Sequence, residues 1–353
     1  RQVKQGFQDI LDIDASMTNL RKVTTGTNQE LQEFLQVASD IGYELGALTT
    51  DVIDATTEFQ RLGFTLQESI ALGRSALVYS NVGDISIDDS TSSIISTIKG
   101  FGIEVDSAGR NVEAIVDLFN EIGNKFAVSS EGIGEALQRS AATLHQAGNS
   151  IHESVALIAS ANASIQDPQK VGNALKTVAM RLRGVDEDGQ AILGLIPQLE
   201  EMFNSFGATI MLDENTFKST FEIMKTLREH WDDLEDIERA NIVETIGGER
   251  QGVIISAMIE NWEDAEEAYE AGLNSAGSAT EEMNQYMESM EYRINQLKVS
   301  MERFWKEFLD SDSIKDAIEL LTQVMNLLTN ITSSAGGFNV GAVTLGTIGV
   351  LGS

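Results

Sequence analysis

The chain carries three histidines, and two of them, His145 and His152, stand seven residues apart. Seven residues is two helical turns, so the pair would share one face if a single helix ran through both. Gly148 lies between them and reads as a helix stop, so a metal site from this pair is not expected. Asp186-Glu187-Asp188-Gly189 has the oxygen-rich character of a calcium loop. The twelve-residue pattern and its closing glutamate do not follow, and the tetrapeptide reads as a solvated turn, as do Asp84, Asp88 and Asp89. Gly247-Gly248-Glu249-Arg250-Gln251-Gly252 has the glycines of a phosphate cradle but not its Lys-Ser/Thr, and reads as a tight turn between helices. Among 55 Asp and Glu, no carboxylate pair stands out for glycosidase chemistry. There is no cysteine, and no Ser-His-Asp spacing is legible. The residues therefore point away from catalysis, and no cofactor or metal is expected.

The composition says what would position such residues. Only 2 prolines, Pro168 and Pro197, and 6% aromatics occur among 353 residues rich in Ala, Leu, Glu, Gln and Ile. That predicts a mainly α chain, with the 30 glycines marking helix ends and close contacts. The net charge of -31 repels nucleic acid phosphates and argues against sequence-specific nucleic acid binding. The sequence opens on Arg1 with no charged-then-apolar leader, and reads as part of something longer.

Five segments follow from the patterning. Residues 1–45 read as an N-terminal helical arm, with Phe7, Ile10 and Leu11, then Leu31, Phe34, Leu35, Ala38 and Ile41 at helical spacing. So thin an apolar stripe needs a partner to be stable. Residues 46–185 read as a duplicated helical core module. Leu62-Gly63-Phe64-Thr65-Leu66-Gln67-Glu68-Ser69-Ile70-Ala71-Leu72 matches Ala147 through Leu157 at an offset of 85 residues, while Thr49-Thr50 and Ser129-Ser130 begin the two copies at an offset of 80. Each copy reads as cap, helix, glycine stop, cap, helix, with Ser130 an N-cap and Ser150 with Glu153 a capping box. Pro168 then opens another helix, which ends at Gly184. Residues 186–279 read as a helical module with a small β-hairpin near 208–218, where Ala208–Leu212 and Thr216–Lys218 flank Asp213-Glu214-Asn215.

Residues 280–332 carry heptads. Met287, Met290, Ile294, Leu297, Met301, Phe304 and Phe308 alternate spacings of three and four, and Ile314, Ile318, Leu321, Met325 and Leu328 resume the pattern. Such a stripe predicts long amphipathic or coiled-coil helices, and makes those first seven residues the candidate contact with other copies or with a tube or tip. A helix packed within its own domain fits the same pattern. Residues 333–353 form an uncharged, Gly-rich segment leading toward a hydrophobic or membrane-active region.

Four blocks carry a family resemblance: Phe126–Gly184 with its Ala-Gly-Asn-Ser and Arg181-Leu182-Arg183-Gly184; Thr216-Phe217-Lys218-Ser219-Thr220-Phe221 leading to Trp231; Ile246-Gly247-Gly248-Glu249-Arg250-Gln251; and Leu273-Asn274-Ser275-Ala276-Gly277-Ser278-Ala279 before the heptads. In this order they resemble the core region of phage tail tape measure proteins, the TP901-like group of long-tailed phages and prophages. Similar proteins often have alanine in place of Gly247 and lysine in place of Glu249, departures that touch packing and charge. The resemblance implies a virion structural protein in the tail lumen, present in the host cytoplasm during assembly. It further implies a role in setting tail length, nucleation of the tube at the tip, and release before DNA ejection. The implied partners are its own copies as a trimer, tail tube and tail-tip or distal tail proteins, tail assembly chaperones, and the host membrane on infection. The uncharged 335–353 stretch motivates the alternative, a membrane-inserting pilot or channel-forming protein for genome delivery.

Overall fold

The computed structural model describes residues 2–106, 108–310 and 326, and the regular elements among them are helices. They are α1 (Gln2–Arg21), α2 (Asn28–Leu45), α3 (Thr49–Arg61), α4 (Leu66–Gly83), α5 (Ile87–Phe101), α6 (Arg110–Lys125), α7 (Ser130–Gln146) and α8 (Ile151–Ile165). After these come α9 (Pro168–Arg181), α10 (Leu195–Ser205), α11 (Thr220–His230), α12 (Asp236–Glu260), α13 (Trp262–Leu273), α14 (Ser278–Met287) and α15 (Met290–Asp310). Two compact units divide the chain: Arg1–Asp54 with Gln285–Ser353, and Ala55–Asn284. The chain crosses from one to the other within α3 and returns within α14. The heptad continuation at 314–328 and the uncharged 335–353 stretch lie outside the described residues.

In the first unit the polar helices α1 and α2 bury narrow stripes, Ile13, Met17 and Leu20 on one and Leu31, Phe34, Ala38 and Ile41 on the other. Thr27 and Glu30 form a capping box that starts α2, and Gly46 ends it in the left-handed region at φ 68°. A Cβ at Gly46 would also sit 2.5 Å from the Tyr292 ring, so glycine is required there twice over. The partner that this thin arm needs is α15, which packs on both helices.

The second unit shows the duplication in its caps. Gly63 (φ 86°) and Gly148 (φ 81°) each end a helix, and each is followed by a capping box, Thr65 with Glu68 and Ser150 with Glu153. The cap of α7 is Ser129, one residue before the expected Ser130. Ser129 accepts from Gly132 N, while the Ser130 hydroxyl donates to the Phe119 carbonyl. Asp167 caps α9, with Pro168 in its first turn.

Helix α8 runs through the centre. Ser154 to Asn162 are all buried, and a helix apolar all round has no solvent face to keep. Beside it α7 packs on α5 and α9 through glycines. A Cβ at Gly134 would meet Ser93 Cβ at 2.7 Å, and one at Gly172 would meet Ala136 Cα at 2.8 Å.

The expected hairpin at 208–218 is a chain reversal closed by one antiparallel bridge, Met211 with Phe217, too short for strands. A second bridge, Val185 with Ala191, closes the Asp186–Gly189 turn. Gly248, at φ 61° and ψ -165°, breaks α12 into two arms, and a Cβ at Gly252 would lie 3.0 Å from Val243. The glycine pair is thus the corner between two helical arms.

Candidate functional site

The heptad residues sit on α14 and α15. Met287 ends α14 and is half-buried. On α15 the face seated on α2 is a different one. Tyr292 donates to the Glu44 carbonyl at 2.8 Å, Gln296 to Tyr43 O at 3.2 Å, and Arg303 to the Ser39 hydroxyl at 2.7 Å. Val299, fully buried, lies among them. These four residues stand two positions on from Met290, Ile294, Leu297 and Met301, which places the apolar stripe about 200° round the helix. Met290 and Ile294 are accordingly exposed, at 39% and 42%, and Leu297 and Met301 half-buried. Phe304 turns inward and packs edge-on to Trp305. The side chain of Phe308 lies outside the described residues. So α15 docks on α2 by a mixed face and leaves two of the seven candidates, Met290 and Ile294, exposed.

At the start of α3, two carboxylates from different elements meet backbone N–H groups. Asp51 accepts from Leu48 N at 3.0 Å, and Glu302 of α15 from Thr49 N at 3.4 Å. Burial raises both above the ordinary carboxylate range. The N–H bonds only partly offset this, Asp9 and Asp51 add to the effect at Glu302, and Lys298 opposes it at Asp51. A raised pKa means the folded state holds the proton more tightly. The resulting stabilisation is full below the ordinary range and lost as pH rises through the raised value. Glu302→Gln keeps an acceptor for Thr49 N without the charge. It is expected to raise the thermal midpoint at pH 7 and to change it little at pH 4, read by circular dichroism. Equal shifts at both pH values would show that charge burial is not the cause.

In the second unit the four sequence blocks are joined by side chains reaching backbone groups. Arg183 donates to the carbonyls of Ala147 and of Lys218 (2.7 Å), and its guanidinium stacks 4.8 Å from the Phe217 ring centroid. Burial pulls the Arg183 pKa down, yet a guanidinium starts so high that it stays charged. Asn149 accepts from Phe221 N at 2.9 Å and donates to Leu144 O, and Ser219 donates to Glu153 at 3.0 Å. These bonds tie the first block to the second. Arg181 reaches the edge of the third, donating at 2.9 and 3.1 Å to the carbonyl of Thr245 just before it, with Gly248 of that block beside its guanidinium. The fourth hangs from Asp117, whose carboxylate accepts from Gly277 N (2.8 Å) and Ala279 N (2.9 Å) at the start of α14. Nothing marked Asp117 beforehand, and Asn149 stood out only as part of the Ala-Gly-Asn-Ser motif. Each lies in an ordinary helical or cap pattern, and its partner is 72 or more residues away.

The reactive-looking residues are engaged in packing and turns. His145 packs edge-on to Phe101, and His230 lies against Phe206. His152 is half-buried, and burial lowers its pKa. The Asp186 carboxylate accepts from Asp188 N and Gln190 N, closing its own turn, and Glu187 accepts from Thr177. No group of three or more His, Cys, Asp or Glu among the described residues could hold a metal ion. What the geometry builds is a helical body whose joints are largely side chains bonded to backbone groups.

No solved structure matches the chain. A family model matches residues 12–248, a span that holds the first two blocks and breaks off within the third, ahead of α15. That model describes the phage-related minor tail proteins, and since it covers well over half of the 353 residues, the chain belongs to this family of phage tail proteins.

Proposed function

We propose that this tail protein is the tape measure of its tail. It lies in the tube lumen while tube subunits polymerise around it, and leaves ahead of the DNA on infection. The observation that supports this furthest is the two-faced helix α15. One face docks on α2, and another carries Met290 and Ile294, exposed, with half-buried Leu297 and Met301 continuing the heptad spacing. A helix of that kind can bundle with copies of itself, as a trimer, without giving up its own unit. The resemblance of the four blocks supports the same reading, and the charge of -31 suits a surface along which DNA must pass without adhering. The compact second unit suits a docking end at the tail tip rather than the rod. No helix among the described residues is long and apolar enough to cross a membrane.

The test is to insert three further copies of Met290–Asp310, each 21 residues and three heptads, after Asp310 in the parent phage. Tails measured by electron microscopy are expected to lengthen by about 95 Å, at 1.5 Å per residue. Tails of normal length that still deliver DNA would sink the ruler role. Normal tails that no longer deliver DNA would favour the membrane-inserting pilot instead.

A further inference from the structure

Helix α10 and the first arm of α12 enclose an open cleft of about 690 Å³. It follows α12 from Glu238 to Thr245, about 10 Å of helix, with Leu234 just ahead of that helix. Leu195, Leu234 and Ile242 form a buried floor, and Met202 is half-buried beside them. One apolar side chain stands at the rim with little cover, Leu193 at 96% exposure. Three carboxylates stand among the neutral polar residues of the lining, Glu201 from α10 and Glu238 and Glu244 from α12, all exposed. The one cation lining the cleft, Arg181, is turned to the Thr245 carbonyl, and among the described residues none of the three carboxylates has a cationic partner.

We propose that this cleft is a docking groove for a basic amphipathic helix of another protein. Its apolar floor between two helices fits the face of a third helix laid beside them. Exposed Leu193 would be covered by such a helix, burying apolar surface that otherwise faces water. The carboxylate rim selects lysines and arginines on the flanks of the incoming helix. The same rim repels phosphate, so neither nucleic acid nor an anionic lipid surface fits.

The test uses the full chain and a fluorescently labelled helical peptide with leucines at i, i+3, i+7 and i+10 and lysines flanking them. A counterpart with glutamates replacing the lysines is the control. Fluorescence anisotropy is expected to show binding of the lysine peptide alone. Glu201→Lys with Glu244→Lys should weaken it tenfold or more, and Leu193→Ser should weaken it severalfold. Glu263→Lys with Glu270→Lys, at two exposed positions of α13, should leave it within twofold. Equal losses in the two double variants would mean diffuse attraction to an acidic chain, and would overturn the proposal. So would equal binding of the glutamate peptide, or an unchanged affinity in Leu193→Ser, which is too exposed to disturb folding. Self-association of the chain abolished by Glu201→Lys with Glu244→Lys would overturn it too, by identifying a second copy as the occupant.

Discussion

Gly172→Val is expected to destabilise the second unit by about 3 kcal/mol or more, an overpacking effect at the high end for a single side chain. Gly172 lies on α9 where it crosses α7. Even a bare Cβ there would stand 2.8 Å from Ala136 Cα, and its nearest neighbours are all backbone atoms of α7. A flexible side chain could swing aside, but a helix backbone moves only as a body, and α7 is held on its far side by α5. The gain in helix propensity over glycine, about 1 kcal/mol or less, does not offset this. Gly83→Ala is the matched control, because the nearest atoms to its new methyl are Tyr79 ring carbons at 3.4 and 3.5 Å, ordinary contact. It should be neutral within about 0.5 kcal/mol or mildly stabilising. Urea unfolding of the two variants reads the difference. A Gly172→Val chain as stable as the control would mean that the α7–α9 crossing yields easily.

Arg183→Met is expected to cost about 3–5 kcal/mol, because two carbonyls lose a charged donor and the Phe217 ring loses its cation. Ala147, one of the residues left unpaired, is 2% exposed, so water does not readily replace the guanidinium. The methionine keeps most of the stem, so the loss reports hydrogen bonding rather than a cavity. Arg183→Lys should recover less than half of it, since one ammonium lacks the planar fork that serves both carbonyls and the ring. The measurement is the urea midpoint with the m-value held constant. Full recovery by lysine would show that charge alone matters at this joint, and a loss below about 1 kcal/mol would show that the first two blocks are held by packing.

Local chemistry made much of this fold legible. Thr65 with Glu68 and Ser150 with Glu153 announce their helices because a capping box needs only residues three apart. What escaped is non-local or polar. The apolar stripe at Met290, Ile294, Leu297 and Met301 draws attention to one face of α15. The docked face uses Tyr292, Gln296 and Arg303, whose bonds to carbonyls leave no hydrophobic period. Likewise the joints at Arg183 and Asp117 depend on backbone groups far along the chain, and backbone groups have no signature in side-chain identity. Phage tail membership came within reach because the blocks retain their order; no single joint would have carried it.

The tie between α2 and α15 also sets an order of events. Tyr292 and Arg303 bind residues 248 to 264 positions earlier in the chain. During synthesis at about 5–20 residues per second, α2 therefore leaves the ribosome some 10–50 s before its partner exists. Meanwhile the contacts of Ala55–Asn284 are complete before α15 has been made. The middle unit is thus free to close while α2 still lacks the partner that Tyr292 and Arg303 supply.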